Sequence, residues 1–376
     1  MAPHAPKEAQ PRLLIFEQRM MGDAIMSLPF IRAAASRFEV HVACAPGTAA
    51  IFALALPSTR IHAWHPPWLE ASGGSRPAPW RQCGFRAYLK HLRQLAPDTA
   101  VSVWADSRVH FLMARCGART RIGFPMSKQN YYAHHLPHRR RQLRIGRLLS
   151  AIGSTLNGSP QLTQKLSRAH AEQHHMDGWR QLAQALHLPY EEATPWFTPP
   201  TTPLPEPIAS PLARARSEGK PIWLIHAGAR DPDHRWPLPY FIEIIRDEIA
   251  AHGAQPVLVD SPEVRWPDEL RGQFPTYRAE SLSQLIALFN ACDGLLCNDT
   301  GVSHLAAALG KSVIAIFLSS NPHWFAPHGP RCQWIATEQA LKNPSVGNGQ
   351  TTPPRPEELD LRDNVRKAFR TALNQK

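Results

Sequence analysis

An alternation of short apolar strands with helical stretches, which occurs once in each half of the chain, constrains the fold most. In the first half, strands are predicted at Arg12–Phe16 and Glu39–Ala43, and the residues from Asp23 to Ala35 between them have a helical pattern. Further elements are expected at Thr99–Trp104, Arg108–Cys116 and Thr120–Phe124. A strand, a helix and a second strand in this order form a βαβ unit, which implies parallel strands.

The second half repeats the pattern after a Pro-rich segment at Thr194–Pro211. Its predicted strands are Pro221–His226, Pro256–Asp260, Gly294–Cys297 and Ser312–Phe317, and its predicted helices are Pro239–His252, Ser281–Ala291, Gly301–Leu309 and Pro356–Ala372. The sequence therefore predicts two α/β, Rossmann-like domains whose parallel sheets face a central cleft. Ligands are expected at the carboxyl ends of the strands.

The predicted organisation has four parts. Residues 12–190 form an N-terminal domain, 191–220 a Pro-rich interdomain linker, 221–350 a C-terminal domain, and 355–374 a C-terminal helix.

Composition limits the classes of function. The net charge of +12 permits nucleic acid, an anionic membrane surface or a phosphorylated substrate as partner. The six Cys form no C-x-x-C pair, which favours reduced thiols in a cytoplasmic protein over a disulfide framework or a zinc site. No apolar run reaches the ~20 residues that span a bilayer, and no secretory signal is visible at the N-terminus, so a cytoplasmic location is expected.

The segment Cys297–Ala308 contains the most specific motif, Asp299-Thr300-Gly301 followed by His304. It runs from a strand end into a small-residue helix, whose N-terminus suits a phosphate because its N–H groups and its dipole attract anions. An ordinary capped helix is the alternative at this point. Asp-Thr-Gly is also the aspartic-protease triplet, but the parallel-sheet context and the lack of a second triplet argue against a protease.

Three other strand ends carry polar residues. Asp23 follows the first strand and is a candidate general base, although an acid in a first helical turn is also normal capping. Arg230, His234 and Arg235 follow the strand Pro221–His226, in a loop able to bind a pyrophosphate or simply exposed to solvent. Glu263 follows the next strand, where a carboxylate commonly binds ribose hydroxyls.

His170, His174 and His175 include an i, i+4 pair that could hold a metal, but no further ligands are obvious. A solvated helix is favoured, and no metal site is predicted.

In this order and spacing, these motifs resemble glycosyltransferase family 9, the ADP-heptose:lipopolysaccharide heptosyltransferases. The resemblance extends from about Arg12 to about Trp334. Its supporting segments are Gly22-Asp23 with Pro29, Ala118–Phe124, Trp236-Pro237, Asp299-Thr300-Gly301 with His304, and Asn321–Pro330.

The resemblance implies a GT-B fold and an inverting, metal-independent transfer that needs no cofactor beyond the ADP-sugar donor. It implies that Asp23 is the catalytic base and that Glu263 binds the nucleotide ribose. Asp299, Thr300 and Gly301 match the donor-binding turn, and His304 belongs to the same motif. Arg230 and Arg235, together with the helix end, can stabilise the leaving diphosphate.

The chain departs from the family pattern at one position. The family usually has a Lys shortly before Trp-Pro, whereas His234 and Arg235 stand there in this sequence. Which of the two contacts the diphosphate stays open, because a His is charged only near or below pH ~6.5 unless its surroundings raise its pKa.

Two basic stretches in the first half indicate where an anionic acceptor could bind. Arg81–Leu95 places Arg86 and Lys90 opposite an apolar helical face, and His138–Arg147 contains Arg139, Arg140 and Arg141. A phosphorylated lipid A–core acceptor at the anionic inner membrane surface fits both, and a solvated Arg-rich face is the alternative. Peripheral membrane contact is therefore expected. Nucleic acid is not, since no recognisable nucleic-acid module is present.

Two alternatives to heptose transfer remain. The first is a family 9 transferase that uses another nucleotide sugar or a protein hydroxyl as acceptor. The second is a non-catalytic relative that binds a nucleotide sugar or glycan, against which the presence of Asp23 argues. The sequence does not determine the identity of the acceptor or the oligomeric state. It also does not determine whether the first or the second heptose is transferred.

Overall fold

Most of the apolar runs become central strands of two parallel sheets. The computed structural model describes residues 10–65, 84–125, 159–167, 174–343 and 352–374. The chain divides into unit 1, residues 1–170 and 177–191, and unit 2, residues 171–176 and 192–376. The helices are α1 (Met21–Met26), α2 (Leu28–Ala34), α3 (Ala49–Phe52), α4 (Phe85–Gln94), α5 (Ser107–Arg115), α6 (His175–Ala185), α7 (Glu206–Ser217), α8 (Leu238–Ile244), α9 (Asp268–Gln273), α10 (Leu282–Asn290), α11 (Gly301–Ala308), α12 (Pro322–Phe325), α13 (Glu338–Lys342) and α14 (Arg362–Leu373).

The sheet of unit 1 has six parallel strands in the order β3-β2-β1-β4-β5-β6. They are β1 (Arg12–Glu17), β2 (Glu39–Cys44), β3 (Ile61–Ala63), β4 (Thr99–Ser102), β5 (Thr120–Gly123) and β6 (Gln164–Lys165). This is the doubly wound Rossmann order, in which the direction of strand succession reverses between β1 and β4. The loops after β1 and β4 therefore flank the position where such sheets bind ligands.

The sheet of unit 2 repeats this order as β9-β8-β7-β10-β11-β12, again all parallel. Its strands are β7 (Ile222–His226), β8 (Gln255–Val259), β9 (Thr276–Tyr277), β10 (Gly294–Asn298), β11 (Ser312–Phe317) and β12 (Cys332–Ala336). In this sheet the direction of strand succession reverses between β7 and β10. The two-domain α/β class predicted from the sequence is confirmed by these two sheets.

The helix predicted from Asp23 to Ala35 is divided at Ser27 into α1 and α2. Pro29 lies in the first turn of α2, where the N–H that proline lacks has no helical partner in any case. The Ser27 hydroxyl donates to the Ala24 carbonyl at 2.7 Å and closes the end of α1. The short α1 thus carries Asp23 in its own first turn.

The segment predicted as a linker, 191–220, contains helix α7. Ile208, Leu212 and Ala215 form one buried face of this helix, and the residues from 192 onward group with unit 2. Burial of that face stabilises the helix despite Pro211 in its interior. Residues 171–176 also group with unit 2, although residues 177–191 belong to unit 1. The chain therefore passes between the units more than once, and not only at the expected boundary near residue 190. The C-terminal α14 packs into the core of unit 2, where the Phe369 ring meets Trp223 edge-on at 4.9 Å.

Candidate functional site

The turn between β10 and α11 is built by a capping hydroxyl. Thr300 is the N-cap of α11, and its Oγ1 accepts a hydrogen bond from the Val302 N–H at 3.2 Å. The Ser303 hydroxyl donates to the Thr300 carbonyl at 2.8 Å. The predicted strand-to-helix turn therefore exists, with Asp299, Thr300 and Gly301 at the switch point of unit 2.

Asn298, the last residue of β10, ties this turn to the loop after β7. Its side chain is fully buried, accepts from the Trp236 N–H at 3.0 Å and donates to the Ala227 carbonyl at 2.7 Å. The sequence analysis assigns Asn298 no role. Its only signal in the sequence is a polar amide at the end of an apolar strand.

His234 lies against Asp299. Its Nδ1 is 3.5 Å from Asp299 Oδ2, and the Ser320 hydroxyl donates to the same oxygen. Burial alone would lower the pKa of His234, but Asp299, with Asp231 and Asp233, raises the net pKa above its ordinary value. The carboxylate of Asp299 therefore favours the protonated form of this imidazole. Ser320, which follows β11, was not found from the sequence.

Arg235 is occupied by its own loop. Its Nε donates to the Ala229 carbonyl at 2.7 Å and its Nη2 to the Arg230 carbonyl at 3.3 Å. Arg230 itself is exposed. The structure thus distinguishes the two neighbours, since His234 lies against Asp299 and Arg235 clamps the loop after β7.

Glu263 is exposed in the loop after β8. Its slight burial acts to raise its pKa, but a hydrogen bond from Ser261 and the charges of His226 and Arg235 hold the pKa below the ordinary value. Gly228 allows this loop to approach the loop after β7, because a Cβ at position 228 would lie 2.2 Å from Ser261 Oγ. The two loops, and with them Glu263 and Arg235, are thereby brought together.

His304 lies buried in α11, one turn after the capped end. Burial lowers its pKa to about 4, against the opposing charge of Asp299. It is therefore neutral at physiological pH and suited to hydrogen bonding rather than to neutralising a phosphate.

In unit 1, Asp23 is nearly buried in the first turn of α1, and its Oδ2 accepts from the Met20 N–H at 3.1 Å. Glu17, the last residue of β1, is fully buried. Burial, followed by the charge of Asp23, raises the pKa of Glu17 to about 8. A buried carboxyl with a raised pKa beside a second carboxyl at one strand end is typical of acid–base sites.

The loops flanking the switch point of unit 1 are joined by Trp104. Its Nε1 donates to Glu17 Oε2 at 2.8 Å, and the Arg19 guanidinium lies over its ring at 4.2 Å. Asp106 accepts from Arg108 through both carboxylate oxygens, which holds the pKa of Asp106 well below its usual range despite burial. The sequence analysis does not identify Glu17 or Trp104, because Trp104 ends a predicted strand and no local pattern pairs it with Glu17.

The proposed acceptor residues are only partly within the described ranges. Arg86 and Lys90 are exposed on α4, opposite a buried face of Phe85, Tyr88 and Leu92. Arg139, Arg140 and Arg141 lie outside the described residues.

Within the part of the chain that the structure describes, no group of three or more His, Cys, Asp or Glu side chains is arranged to hold a metal ion. His174 uses Nε2 on the Ala326 carbonyl at 2.9 Å, and His175 is buried rather than solvated, while His170 lies outside the described residues. A search of the described helices for membrane-spanning length and hydropathy finds none that qualifies.

Comparison with known proteins identifies a family whose model matches this chain. The family model described as Glycosyltransferase family 9 (heptosyltransferase) matches residues 153–353. Lipopolysaccharide heptosyltransferase 2 of Salmonella typhimurium is 27% identical over 112 residues, which are 26% of this chain and 30% of that protein. The Escherichia coli protein of the same name is 26% identical over the same extent. The match thus spans about a third of the length of these curated relatives.

Solved structures share the fold over nearly the whole chain. E. coli ADP-heptose lps heptosyltransferase II has a TM-score of 0.59 at 19% identity, with 97% of this chain and 99% of that chain covered. E. coli heptosyltransferase WaaC with ADP has a TM-score of 0.60 at 17% identity, with 96% and 99% covered. A family 9 glycosyl transferase from Veillonella parvula has a TM-score of 0.61 at 14% identity, with 98% of each chain covered. At these identities the likeness shows the GT-B fold expected from the sequence.

Proposed function

The chain belongs to glycosyltransferase family 9, and from that membership we propose that it transfers a heptose from ADP-L-glycero-D-manno-heptose to a lipopolysaccharide inner-core acceptor. The proposed transfer inverts the anomeric centre and uses no metal ion. The observation that carries the proposal is the Asp299-Thr300-Gly301 turn at the capped start of α11, with His234 against Asp299. The curated relatives that match by sequence are both named as lipopolysaccharide heptosyltransferases.

Unit 2 is proposed to hold the donor. As the bond between the sugar and the diphosphate breaks, negative charge grows on the leaving phosphate oxygens, and a fixed cation stabilises it. His234, whose pKa is raised by Asp299, supplies this charge together with the N-terminus of α11. Arg230 is the second proposed cation, while Arg235 acts by holding the loop through the Ala229 and Arg230 carbonyls. Glu263 is proposed to accept hydrogen bonds from the nucleotide ribose.

Unit 1 is proposed to activate the acceptor. Asp23 takes the proton of the acceptor hydroxyl while that oxygen attacks the anomeric carbon from the face opposite the leaving group. A carboxylate is a weak base at neutral pH, which suffices if the proton leaves late, after the oxygen has begun to bond to an oxocarbenium-like carbon. With its raised pKa, Glu17 is protonated at neutral pH and adds no second negative charge beside Asp23.

The acceptor is proposed to be a phosphorylated lipid A–core, bound by basic side chains that include Arg86 and Lys90. Its lipid would place the protein at the inner membrane surface, as a cytoplasmic, peripheral enzyme. Arg139, Arg140 and Arg141 remain proposed acceptor contacts.

A thermal-shift panel with ADP, UDP, GDP and CMP, followed by ADP-heptose, tests the donor. A ligand at 100 times its dissociation constant stabilises the native state by about 2.7 kcal/mol. Stabilisation by ADP and ADP-heptose alone is expected, and it should be lost in Gly301→Val, where a branched side chain stands at the start of α11. Preference for UDP or GDP would keep the fold and contradict the heptose donor. Absence of any shift would favour a degenerate binding relative.

Asp23→Asn separates an enzyme from a non-catalytic binder. The amide keeps an oxygen that can accept from the Met20 N–H but cannot take a proton, so we expect turnover to fall by about 10²–10⁴ while ADP affinity is unchanged. The measurements are single-turnover transfer and calorimetric titration with ADP. Asp268→Asn, at an exposed position, is the matched control. Undiminished turnover in Asp23→Asn would remove Asp23 as the base.

A further inference from the structure

Three imidazoles in unit 1 form a continuous hydrogen-bonded row. His41 Nδ1 lies 2.9 Å from His62 Nε2, and His62 Nδ1 lies 2.8 Å from His91 Nε2. The row starts at Glu39, whose Oε1 is 3.2 Å from His41 Nε2. From Glu39 and His41 on β2 it passes to His62 on β3 and ends at His91 on α4, the helix that carries Arg86 and Lys90.

The row fixes one tautomer for every ring. A neutral imidazole donates through one nitrogen and accepts through the other. Because Glu39 only accepts, His41 donates through Nε2 and accepts at Nδ1, so His62 donates through Nε2. His62 then accepts at Nδ1 from His91 Nε2. All three neutral rings therefore carry their hydrogen on Nε2, and every contact is satisfied.

One added proton leaves the row intact, whereas a second breaks it. When His62 is protonated, it donates to both neighbours. His91 then adopts the other tautomer, in which Nε2 accepts from His62 and the hydrogen on Nδ1 is donated to solvent. With two adjacent rings protonated, two N–H groups face each other across 2.8–2.9 Å, and the hydrogen bond becomes a repulsion. The closed row thus holds at most one added proton without loss of a contact, while three separated histidines bind three.

The inner members of the row are kept neutral by their surroundings. Burial, then His41 and His91, lowers the pKa of His62 to about 4. Burial lowers the pKa of His41 as well, with Arg60 and Arg12 acting in the same direction and Glu39 against them. Since an unfolded His titrates near 6.5, the stability due to this row is fully present above about pH 6.5 and is lost as pH falls toward 4.

The row is also a mechanical link between the helix and the sheet. His91 is exposed on α4, whereas His41 and His62 are buried on the strands. The Tyr88 hydroxyl donates to the His62 carbonyl at 3.1 Å and ties the same helix to β3. Burial raises the pKa values of Tyr88 and Cys44, the latter to about 12, so neither titrates in the acid range. Besides His91, helix α4 carries three charged side chains, Arg86, Lys90 and Arg93.

We infer that Glu39, His41, His62 and His91 form a proton-sensitive latch that holds α4 on the sheet at neutral pH and releases it in acid. Release displaces Arg86 and Lys90, so that the latch regulates binding of an anionic acceptor; this last step rests on the proposed function. Opening takes up about two protons more than the closed row holds.

Hydrogen–deuterium exchange between pH 7.5 and 5 tests the latch on the full chain without substrate. After correction for intrinsic exchange rates, protection of the α4 amides should fall ten- to a hundredfold for each pH unit below about 6, because the slope reports the difference in bound protons. Helix α2, which contains no histidine, is the internal reference. In His91→Asn, which changes only the exposed end of the row, the slope for α4 should drop by about one proton.

His62→Asn should leave α4 poorly protected already at pH 7.5 and nearly insensitive to pH. The control His323→Asn alters an exposed histidine of unit 2 and should reproduce the wild-type profile. A slope for α4 equal to that of α2, or one that His91→Asn leaves unchanged, would overturn the latch. A pH-dependent α4 in a protein that binds no anionic acceptor would overturn the proposed acceptor instead.

Discussion

His234 and Arg235 are adjacent in sequence, but their contacts indicate different roles. Arg235 donates two hydrogen bonds to carbonyls of its own loop, whereas His234 lies beside the Asp299 carboxylate. An imidazole paired with a carboxylate keeps its proton to higher pH than a free one. A neighbouring diphosphate would act in the same direction. Nucleotide affinity should therefore depend on the ionisation of His234.

We predict that ADP binds the wild-type protein more weakly as pH rises from 6 to 9 and that His234→Lys removes most of this dependence. Because the folded pKa of His234 is raised, its positive charge persists to higher pH than that of an ordinary histidine and is lost as pH rises past the raised value. Calorimetric titration of ADP at several pH values measures the effect. The titration of the nucleotide phosphate is common to both proteins and cancels in the comparison. Equal pH dependence in the two proteins would exclude His234 as the phosphate contact.

The buried carboxyl of Glu17 should make the stability of the protein depend on pH. Its pKa is about 8 in the folded protein against 4.5 for an ordinary glutamate. Because the folded state binds this proton more tightly, its contribution is complete below about pH 4.5 and is lost as pH rises to 8 and above. Glu17→Gln should thus gain stability relative to wild type with increasing pH, by at most about 1.4 kcal/mol per pH unit. Urea unfolding at pH 6, 7 and 8.5 measures it.

The exposed pair partner Glu269 offers the matched control for that experiment, as Glu269→Gln. This variant should shift the midpoint by the same amount at each pH. Parallel midpoints for Glu17→Gln and wild type would show that Glu17 is ionised across the range, held by Trp104 and the Arg19 N–H.

At the scale of elements, the close approach of two loops in unit 2 depends on a missing side chain. An alanine Cβ at position 228 would lie 2.2 Å from Ser261 Oγ and 2.9 Å from Ser261 Cβ. We predict that Gly228→Ala costs about 1–3 kcal/mol of stability and weakens ADP binding, since the loop after β7 must move. Adding Ser261→Gly removes both of these atoms and should recover most of the lost stability.

Gly272→Ala is the control for the glycine substitution, because nothing lies within 4 Å of a Cβ at that position and Gly272 lies in α9. It should be neutral or stabilising by roughly 0.5–1 kcal/mol. A Gly228→Ala protein with normal stability and normal ADP affinity would show that the loop accommodates the methyl group elsewhere.

The central strands of both sheets were predictable, since β1, β7, β10 and β11 are apolar runs bounded by turn residues. The edge strands were not. β6 and β9 have two residues each and are polar or half-buried, so they carry no periodic signal. The predicted helix from Pro239 to His252 continues past α8 as a π turn at Ile245–Ala250, a hydrogen-bonding change that the side-chain pattern does not reveal.

The site was predictable as a set of strand ends but not as a set of contacts. Asp23 follows a strand of unit 1, and Asp299 and Thr300 follow a strand of unit 2. Within each sheet, the carboxyl ends of the parallel strands meet at one edge. The partners of these residues come from distant positions: Ser320 donates to Asp299, and Asn298 bridges to Trp236. Such pairs depend on the register of separate strands, which no local pattern encodes.

In the molecule as a whole, only unit 1 carries a net positive charge. Unit 1 contains 24 Lys and Arg against 9 Asp and Glu, whereas unit 2 contains 18 against 21. The net charge of +12 therefore comes entirely from unit 1, and unit 2 is slightly acidic. A uniformly basic chain would attract any polyanion with either unit. This distribution instead favours an anionic partner of unit 1, in agreement with the proposed acceptor.

We predict that the protein binds vesicles of phosphatidylcholine and phosphatidylglycerol but not phosphatidylcholine alone, and that binding declines steeply between 0.05 and 0.5 M salt. Each Lys or Arg near an anionic surface contributes about 1 kcal/mol, and the Debye length shrinks from about 10 Å at 0.1 M toward 3 Å at 1 M. Joint Arg86→Gln and Lys90→Gln substitution removes two exposed cations of unit 1 and should weaken sedimentation with anionic vesicles about tenfold or more. Joint Arg265→Gln and Lys342→Gln substitution removes two exposed cations of unit 2 and should leave it unchanged. Equal losses in the two double variants would mean that net charge alone drives adsorption. Binding that survives high salt would point to an apolar anchor instead of the basic surface of unit 1.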